Sequence, residues 1–353
     1  MYETLCTPRI PDEAAMARCR ARWDGVAKPL NGLGQLEDII CRMAGLTGTD
    51  EVCLDPKSVL VLCADNGVVA RGVTQSDASV TAAVARSIAM GRGNVCRMAE
   101  VAGARVIPVD VGMEAEVDHP GILVRKIMRG TRDISRGPAM EKSQALALIR
   151  AGMELVRERK ELGDRLIATG EMGIGNTTTS SAMASVLLGM PPQRMTGRGA
   201  GLPPEKLRHK IRVIDEAIRV NDLDPNDPLD VLHKLGGCDI AAMAGVCLGG
   251  ARYGVPILLD GFISGVAALV ALLVCPGAKH ALFATHVSRE PAGRLVLDAL
   301  GLRPLVYADM ALGEGTGAVT VMPMLDMALA VYKSGSTFKD IQISAYKRFS
   351  EGS

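Results

Sequence analysis

Glu314 stands between two glycines in the segment LGEGTGA, Leu312–Ala318. A carboxylate in such a turn is a poor solubiliser, because a mobile loop would serve without the flanking glycines. Partial burial would raise its pKa and suit it to take a proton near neutral pH; a plain loop acid is the competing reading. A second candidate is GEMGIGNTTTSS, Gly170–Ser181, which follows a strand pattern and opens a helix. Gly173 and Gly175 would let backbone approach a ligand. Asn176 and Thr177 begin a run of amide and hydroxyl donors at a helix N-terminus, the physical recipe for a phosphate cradle. The plainer alternative is a tight strand–helix turn with a Thr cap. Thr178 stands where a dinucleotide fingerprint needs its third glycine, and no G-K-[ST] phosphate loop exists, which argues against a dehydrogenase.

A third glycine loop, TGRGAGL, holds Gly197, Gly199 and Gly201 and is followed by Lys206, Arg208, Lys210 and Arg212. A helix starting near Pro203 puts Lys210 about two turns in, where its ammonium could meet a phosphate as a point charge. A solvated basic face is the alternative. Asp65–Thr74, DNGVVARGVT, sets an acid before Gly67 and Gly72, and His286 is either a ligand contact or a satisfied histidine at the edge of the core.

The scaffold implied is a parallel α/β layer, because short β-branched runs alternate with helical patterns. Ser58–Cys63, Arg105–Val109, Arg165–Ala168, Val255–Leu259 and Ala281–Ala284 read as strands. Four of them end in an acid near a glycine: Asp65, Asp110, Glu171 and Asp260. Ligands of open parallel sheets bind outside the carboxyl ends of the strands. Acids there also serve as helix caps, but four at one edge point to at least one functional carboxylate. Leu146, Ile149, Met153 and Val156 mark one face of a helix. Lys206–Val220 should pack by one edge, and Asp239–Leu248 should be buried all round. The first 50 residues and the last 30 read as helical.

At about 150 residues per domain, 353 residues suggest two domains. The 48% hydrophobic content supports a large core, and Lys plus Arg at 40 against Asp plus Glu at 39 argues against broad nucleic-acid or membrane-surface binding. Four Phe, five Tyr and one Trp leave no stacking platform for single strands. The nine cysteines include no C-x-x-C pair, so zinc and redox motifs lack their spacing, and small core residues in a reducing cytoplasm are expected. Met1–Arg22 has no apolar core of a signal peptide. Gly261–Ala278 lacks charge for 18 residues, but Gly265 and Pro276 interrupt it, so a buried strand end and helix is expected rather than a span of about 20 residues.

ADNGVVARGV (Ala64–Val73), GEMGIGNTT (Gly170–Thr178), TGRGAGLPP with Lys210 following, Leu235–Ser264 and LGEGTGA occur in an order that resembles the nicotinate-nucleotide–dimethylbenzimidazole phosphoribosyltransferase family. The resemblance implies a large Rossmann-like α/β domain with a parallel sheet and flanking helices, residues 51–325. A small helical domain would come from residues 1–50 and 326–353, and the assembly would be a homodimer. The implied reaction moves phosphoribose from nicotinate mononucleotide to an azole base, giving an α-ribazole phosphate and nicotinate. It calls for no cofactor, and no metal, because no pyrophosphate leaves.

By the same resemblance Glu314 is the general base, and Glu171 and Lys210 belong to the phosphoribosyl end together with Asp260. Glu171 would there stabilise cation-like charge on the ribose as a carboxylate. Phosphate donors come from Gly173–Thr178 or Gly197–Gly201. The base pocket falls to Ser76, Gln75, Val84 and Leu312. Asn66 and Val84 depart from the family's His and Gln, so a relaxed range of azoles or purines is expected. A non-catalytic nucleotide sensor is the reading from another class; Glu314, Glu171 and Lys210 speak against it.

Overall fold

The computed structural model of the chain describes residue 5 and residues 7–348. Six strands, β1 (Lys57–Ala64), β2 (Ala104–Gly112), β3 (Leu123–Val124), β4 (Leu166–Met172), β5 (Ile257–Leu259) and β6 (Leu282–Ala284), form one sheet in the order β3-β2-β1-β4-β5-β6. Every pairing is parallel. Parallel neighbours need long crossovers, which is why helices fill the connections. β1 is buried along its whole length and apolar from Val59 onward, as a strand covered on both faces should be. The five strands read from the sequence are present. β2 and β4 run further and take in Asp110 and Glu171, while β3, two residues at the edge, is too short to leave a pattern. The chain winds outward one way from β1 and the other way from β4, so these two flank the switch point of the sheet.

The helices are α1 (Glu13–Gly25), α2 (Gln35–Thr47), α3 (Ser79–Ala89), α4 (Asn94–Ala102), α5 (Lys142–Glu161), α6 (Asn176–Leu187) and α7 (Pro192–Met195). They continue with α8 (Pro204–Val220), α9 (Pro228–Leu235), α10 (Cys238–Tyr253), α11 (Phe262–Val274), α12 (Gly293–Leu300) and α13 (Thr316–Ser334). On α5, Ile149, Met153 and Val156 are buried and Leu146 half-buried, against α10, which is buried from Cys238 to Ala251. These two helices meet backbone to backbone. A side chain at Gly152 would overlap the carbonyl of Ala242, and one at Gly245 would overlap that of Ile149. The uncharged stretch forms α11, buried on most of its surface. Among the described residues no helix is long and apolar enough to cross a membrane.

The two ends of the chain touch. The Trp23 ring lies 5.1 Å from that of Tyr332, whose hydroxyl donates to the carbonyl of Asp50 at 2.8 Å. Buried Lys57, at the start of β1, donates to Asp326 on α13 at 2.7 Å. α13 crosses residue 325 without a break. The helical reading of the last 30 residues is corrected beyond Ser334: residues 335–348 hold no helix. There Asp340 accepts from the Thr337 backbone at 2.8 Å and from its hydroxyl at 2.7 Å, and such local side-chain bonds compete with helix formation. Residues 349–353 lie outside the described residues, as does Cys6; the described cysteines form no disulfide with one another.

Gly245→Ala gains up to about 1 kcal/mol in helix propensity, but it drives a methyl into a carbonyl, and overpacking costs about 1–3 kcal/mol. The net effect is expected to be destabilising, seen as a lower urea midpoint at unchanged slope. An equal or higher midpoint would show that the two backbones have room to part.

Candidate active site

A cavity of about 210 Å³ opens at the carboxyl ends of β4, β5 and β6. Glu171, Asn176, Thr177, Gly199, Asp260 and Glu314 line it, with Met172, Phe262 and Leu312 as apolar walls. His286, Ser288 and Glu290 complete one side.

Glu314 sits on a turn of three consecutive left-handed residues, Gly313 (φ 81°), Glu314 (φ 61°) and Gly315 (φ 92°). That conformation costs a side-chain-bearing residue about 1–2 kcal/mol, so something must hold it. Asp260, at the end of β5, accepts from the backbone N–H groups of Gly315 at 3.2 Å, Gly317 at 2.7 Å and Ala318 at 3.2 Å. These are the orphan donors at the start of α13, where a negative charge is favoured. The N–H of Glu314 donates to the carbonyl of Glu171 at 3.2 Å, and its Oε2 accepts from the N–H of Val95, in the first turn of α4, at 3.2 Å. The carboxylate therefore faces the cavity with its backbone pinned on both sides.

Asn176 places its amide between two buried acids, donating to Glu171 Oε2 and, at 2.9 Å, to Asp239 Oδ2. Burial, then the nearby charge of Asp239, pushes Glu171 up to about 8, and burial pushes Asp239 up to about 6. Burial thus favours the protonated form of Glu171. Burial also raises Asp260, against the influence of His286, and lowers His286.

Lys210 lies one layer behind the cavity wall, 1% exposed, and donates to Thr177 Oγ1 at 2.8 Å and the carbonyl of Gly197 at 3.3 Å. Burial brings it down to about 8, with Glu290 acting the other way. Lys206, Arg208 and Arg212 remain exposed. The basic cluster therefore divides: three members form a solvated face, and one turns inward.

The glycine loops divide as well. Gly173 and Gly199 line the cavity. Gly175, at φ 93°, instead packs against Val69 and Asn66, and Gly197 packs against the carboxylate of Glu290. The carbonyl of Gly201 accepts from Gln75. Of the expected base-pocket residues only Leu312 lines the cavity; Ser76, Gln75 and Val84 do not. The Ile174 N–H donates to Thr81 on α3 at 3.3 Å, and Asn66 donates to the Ile174 carbonyl at 3.2 Å. That ties α3 and the first glycine segment to the 173–176 turn, which itself lines the cavity. Two of the strand-end acids are structural too. Asp65 accepts from Glu114 N–H at 2.9 Å, and Asp110 accepts from Met113 N–H at 2.9 Å and pairs with Lys126 at 3.0 Å.

Asp239 and Glu290 escaped the reading of the sequence. Asp239 had a signal, a lone acid at the head of an otherwise apolar helix. Glu290 had none, since only the fold brings it to the third glycine loop.

A family model described as phosphoribosyltransferase matches residues 9–343. The chain belongs to this family. Nicotinate-nucleotide–dimethylbenzimidazole phosphoribosyltransferase of Acetivibrio thermocellus is 43% identical over 347 residues, 98% of this chain and 99% of its own length. The enzyme of the same name from Escherichia coli (strain SE11) is 41% identical over 335 residues, 95% of this chain and 93% of its own. The crystal structure of CobT from Thermus thermophilus matches with a TM-score of 0.89 at 40% identity, covering 94% of this chain and 100% of its own. In this phosphoribosyltransferase the cavity at the carboxyl edge of the sheet is therefore the candidate active site.

Glu171 keeps its proton to about 8 in the fold, against 4.5 ordinarily. The folded state binds the extra proton between those values, so the contribution of Glu171 is full below about pH 4.5 and is lost as pH rises through 8. Glu171→Gln removes that loss. Relative to wild type, its melting temperature should gain more at pH 8.5 than at pH 4.5. The same difference at both pH values would show that Glu171 carries no raised affinity for its proton.

Proposed function

We propose that this chain transfers the phosphoribosyl group of nicotinate mononucleotide to dimethylbenzimidazole or a related azole, releasing nicotinate and an α-ribazole phosphate. The observation that carries this reading is a cavity with Glu314 and Glu171 on one wall and Thr177 and Gly199 on another, with Lys210 directly behind them. One side offers a carboxylate for proton transfer, the other backbone N–H groups and a buried cation for a phosphate. The relatives' shared name and their near-complete coverage support the same assignment.

In this reading the ring nitrogen of the azole attacks the anomeric carbon as the bond to nicotinate breaks. The azole then sheds its N–H proton to the Glu314 carboxylate. General-base help of this kind contributes about 10²–10⁴-fold. Glu171, whose protonated form burial favours, faces the ribose. Asp260 acts by holding the turn that carries Glu314. Gly173, Asn176, Thr177 and Gly199 contact the phosphoribosyl group, with Lys210 reaching it as Thr177 yields.

The base sits against Leu312, Met172 and Phe262. The same reading includes a homodimer and a cytoplasmic location, which rest on the resemblance and the cysteine pattern. It also keeps the division into a 51–325 body and a cap from residues 1–50 and 326–353, supported by the packing of Trp23 on Tyr332.

Glu314→Gln is expected to lose about 10²–10⁴-fold in turnover while nicotinate mononucleotide still binds. Near-normal nicotinate release would remove Glu314 as the base. No release from wild type with any azole would favour a nucleotide sensor. Walls of apolar side chains discriminate a missing methyl by only about 10–200-fold. Competition among dimethylbenzimidazole, benzimidazole, adenine and phenol should therefore show several bases used, and sole use of dimethylbenzimidazole would exclude relaxed recognition.

A further inference from the structure

Glu290 lies in the loop between β6 and α12 and puts its carboxylate into the glycine loop of residues 196–202. Its Oε1 accepts from the Gly199 N–H at 3.0 Å. Its Oε2 is buried and has no hydrogen-bond partner. Gly197 makes the room, since a side chain there would overlap that carboxylate. Behind the same loop, the ammonium of Lys210 donates to two neutral oxygens, Thr177 Oγ1 and the Gly197 carbonyl. Glu290 is the acid whose charge bears on it.

A dehydrated carboxylate oxygen without a donor is unfavourable, and so is a buried ammonium with no anion near it. Each is tolerated here because of the other. The arrangement is an anion site, one N–H and one buried cation, filled by a side chain of the protein itself and satisfied only in part. A phosphate monoester brings up to two negative charges and three acceptor oxygens, against the single charge of a carboxylate, so it is the better occupant. Both cannot use the same N–H. The backbone of Glu290 is held at both ends, its N–H on Ser288 Oγ at 3.3 Å and its carbonyl on the Gly293 N–H at 2.8 Å. An exchange therefore needs only a swing of the side chain.

We propose that Glu290 is a displaceable occupant of the phosphate subsite: its carboxylate fills the place beside Gly199 and Lys210 in the empty enzyme and leaves when the substrate's phosphate enters. This rests on the reading of Gly199 and Lys210 as phosphate partners. A consequence for specificity follows. A ligand must displace a tethered carboxylate to enter, so phosphate-bearing nucleotides can take the subsite. A nucleoside without phosphate leaves Glu290 in place and gains nothing there.

Calorimetric titration of wild type, Glu290→Ala and Glu290→Gln with nicotinate mononucleotide, inorganic phosphate and nicotinate riboside tests this. Apparent affinity is the intrinsic affinity scaled by the fraction of open site, so Glu290→Ala should bind nicotinate mononucleotide and inorganic phosphate about three- to tenfold tighter. Glu290→Gln should move the same way by less, and the riboside should be unchanged. Weaker or equal binding of the phosphate-bearing ligands would overturn the proposal and make Glu290 a brace for the loop. A riboside gain as large as that of the nucleotide would overturn it as well. If the Ala variant does not fold, the near-isosteric Gln variant decides by the same signs. Wild type that binds nicotinate mononucleotide no better than the riboside would sink the phosphoribosyl reading itself, a result distinct from an unresponsive Glu290.

Discussion

The site depends on one buried carboxylate at the end of β5. Asp260 accepts three N–H groups from the start of α13, and in doing so welds the end of β5 to the turn that carries Glu314. Without it, a glutamate in left-handed backbone between two glycines would be held only by its own bonds to the Glu171 carbonyl and the Val95 N–H. The glycines make the turn possible, and Asp260 makes it stay. Asp260 is tolerated in the interior because donors surround it, and Glu314 lines the cavity with one hydrogen bond to its carboxylate, from the Val95 N–H.

A second constraint comes from crowding acids in a dry place. Glu171, Asp239, Asp260 and Glu314 lie close enough for their charges to act on Glu171. Burial, with these charges, favours the protonated form of Glu171. Asn176 mediates by giving one N–H to each of two acids. Lys210 is the opposite case, a cation weakened by burial and kept near the cavity by a threonine.

Much of the fold was legible because parallel strands buried on both faces leave apolar runs, and the acids at their ends mark the edge where a ligand can bind. Glu314, Glu171, Asn176, Thr177 and Asp260 were read correctly as lying in one place, since local glycine turns declare themselves. Ser76, Gln75 and Val84 were assigned by motif position; they flank the cavity through the Ile174 turn and the Gly201 carbonyl rather than line it, so apolar spacing alone does not say what the base touches. Asp65 and Asp110 looked like their functional counterparts but accept from loop N–H groups outside the cavity. Glu290 was out of reach altogether, because its importance lies in meeting a loop some 90 residues away in sequence. The chain beyond Ser334 was misread as helix because Thr337 and Asp340 bond locally, a competition that apolar spacing does not reveal.

Where α5 and α10 cross through bare glycines, the separation of their axes is set by peptide bonds and van der Waals radii, not by the choice of side chains. Core residues around them can be exchanged over generations without changing that spacing. Asp239 stands at the head of α10, so its height above the sheet is measured from a benchmark that does not drift. The acid cluster can remain in register while its surroundings vary.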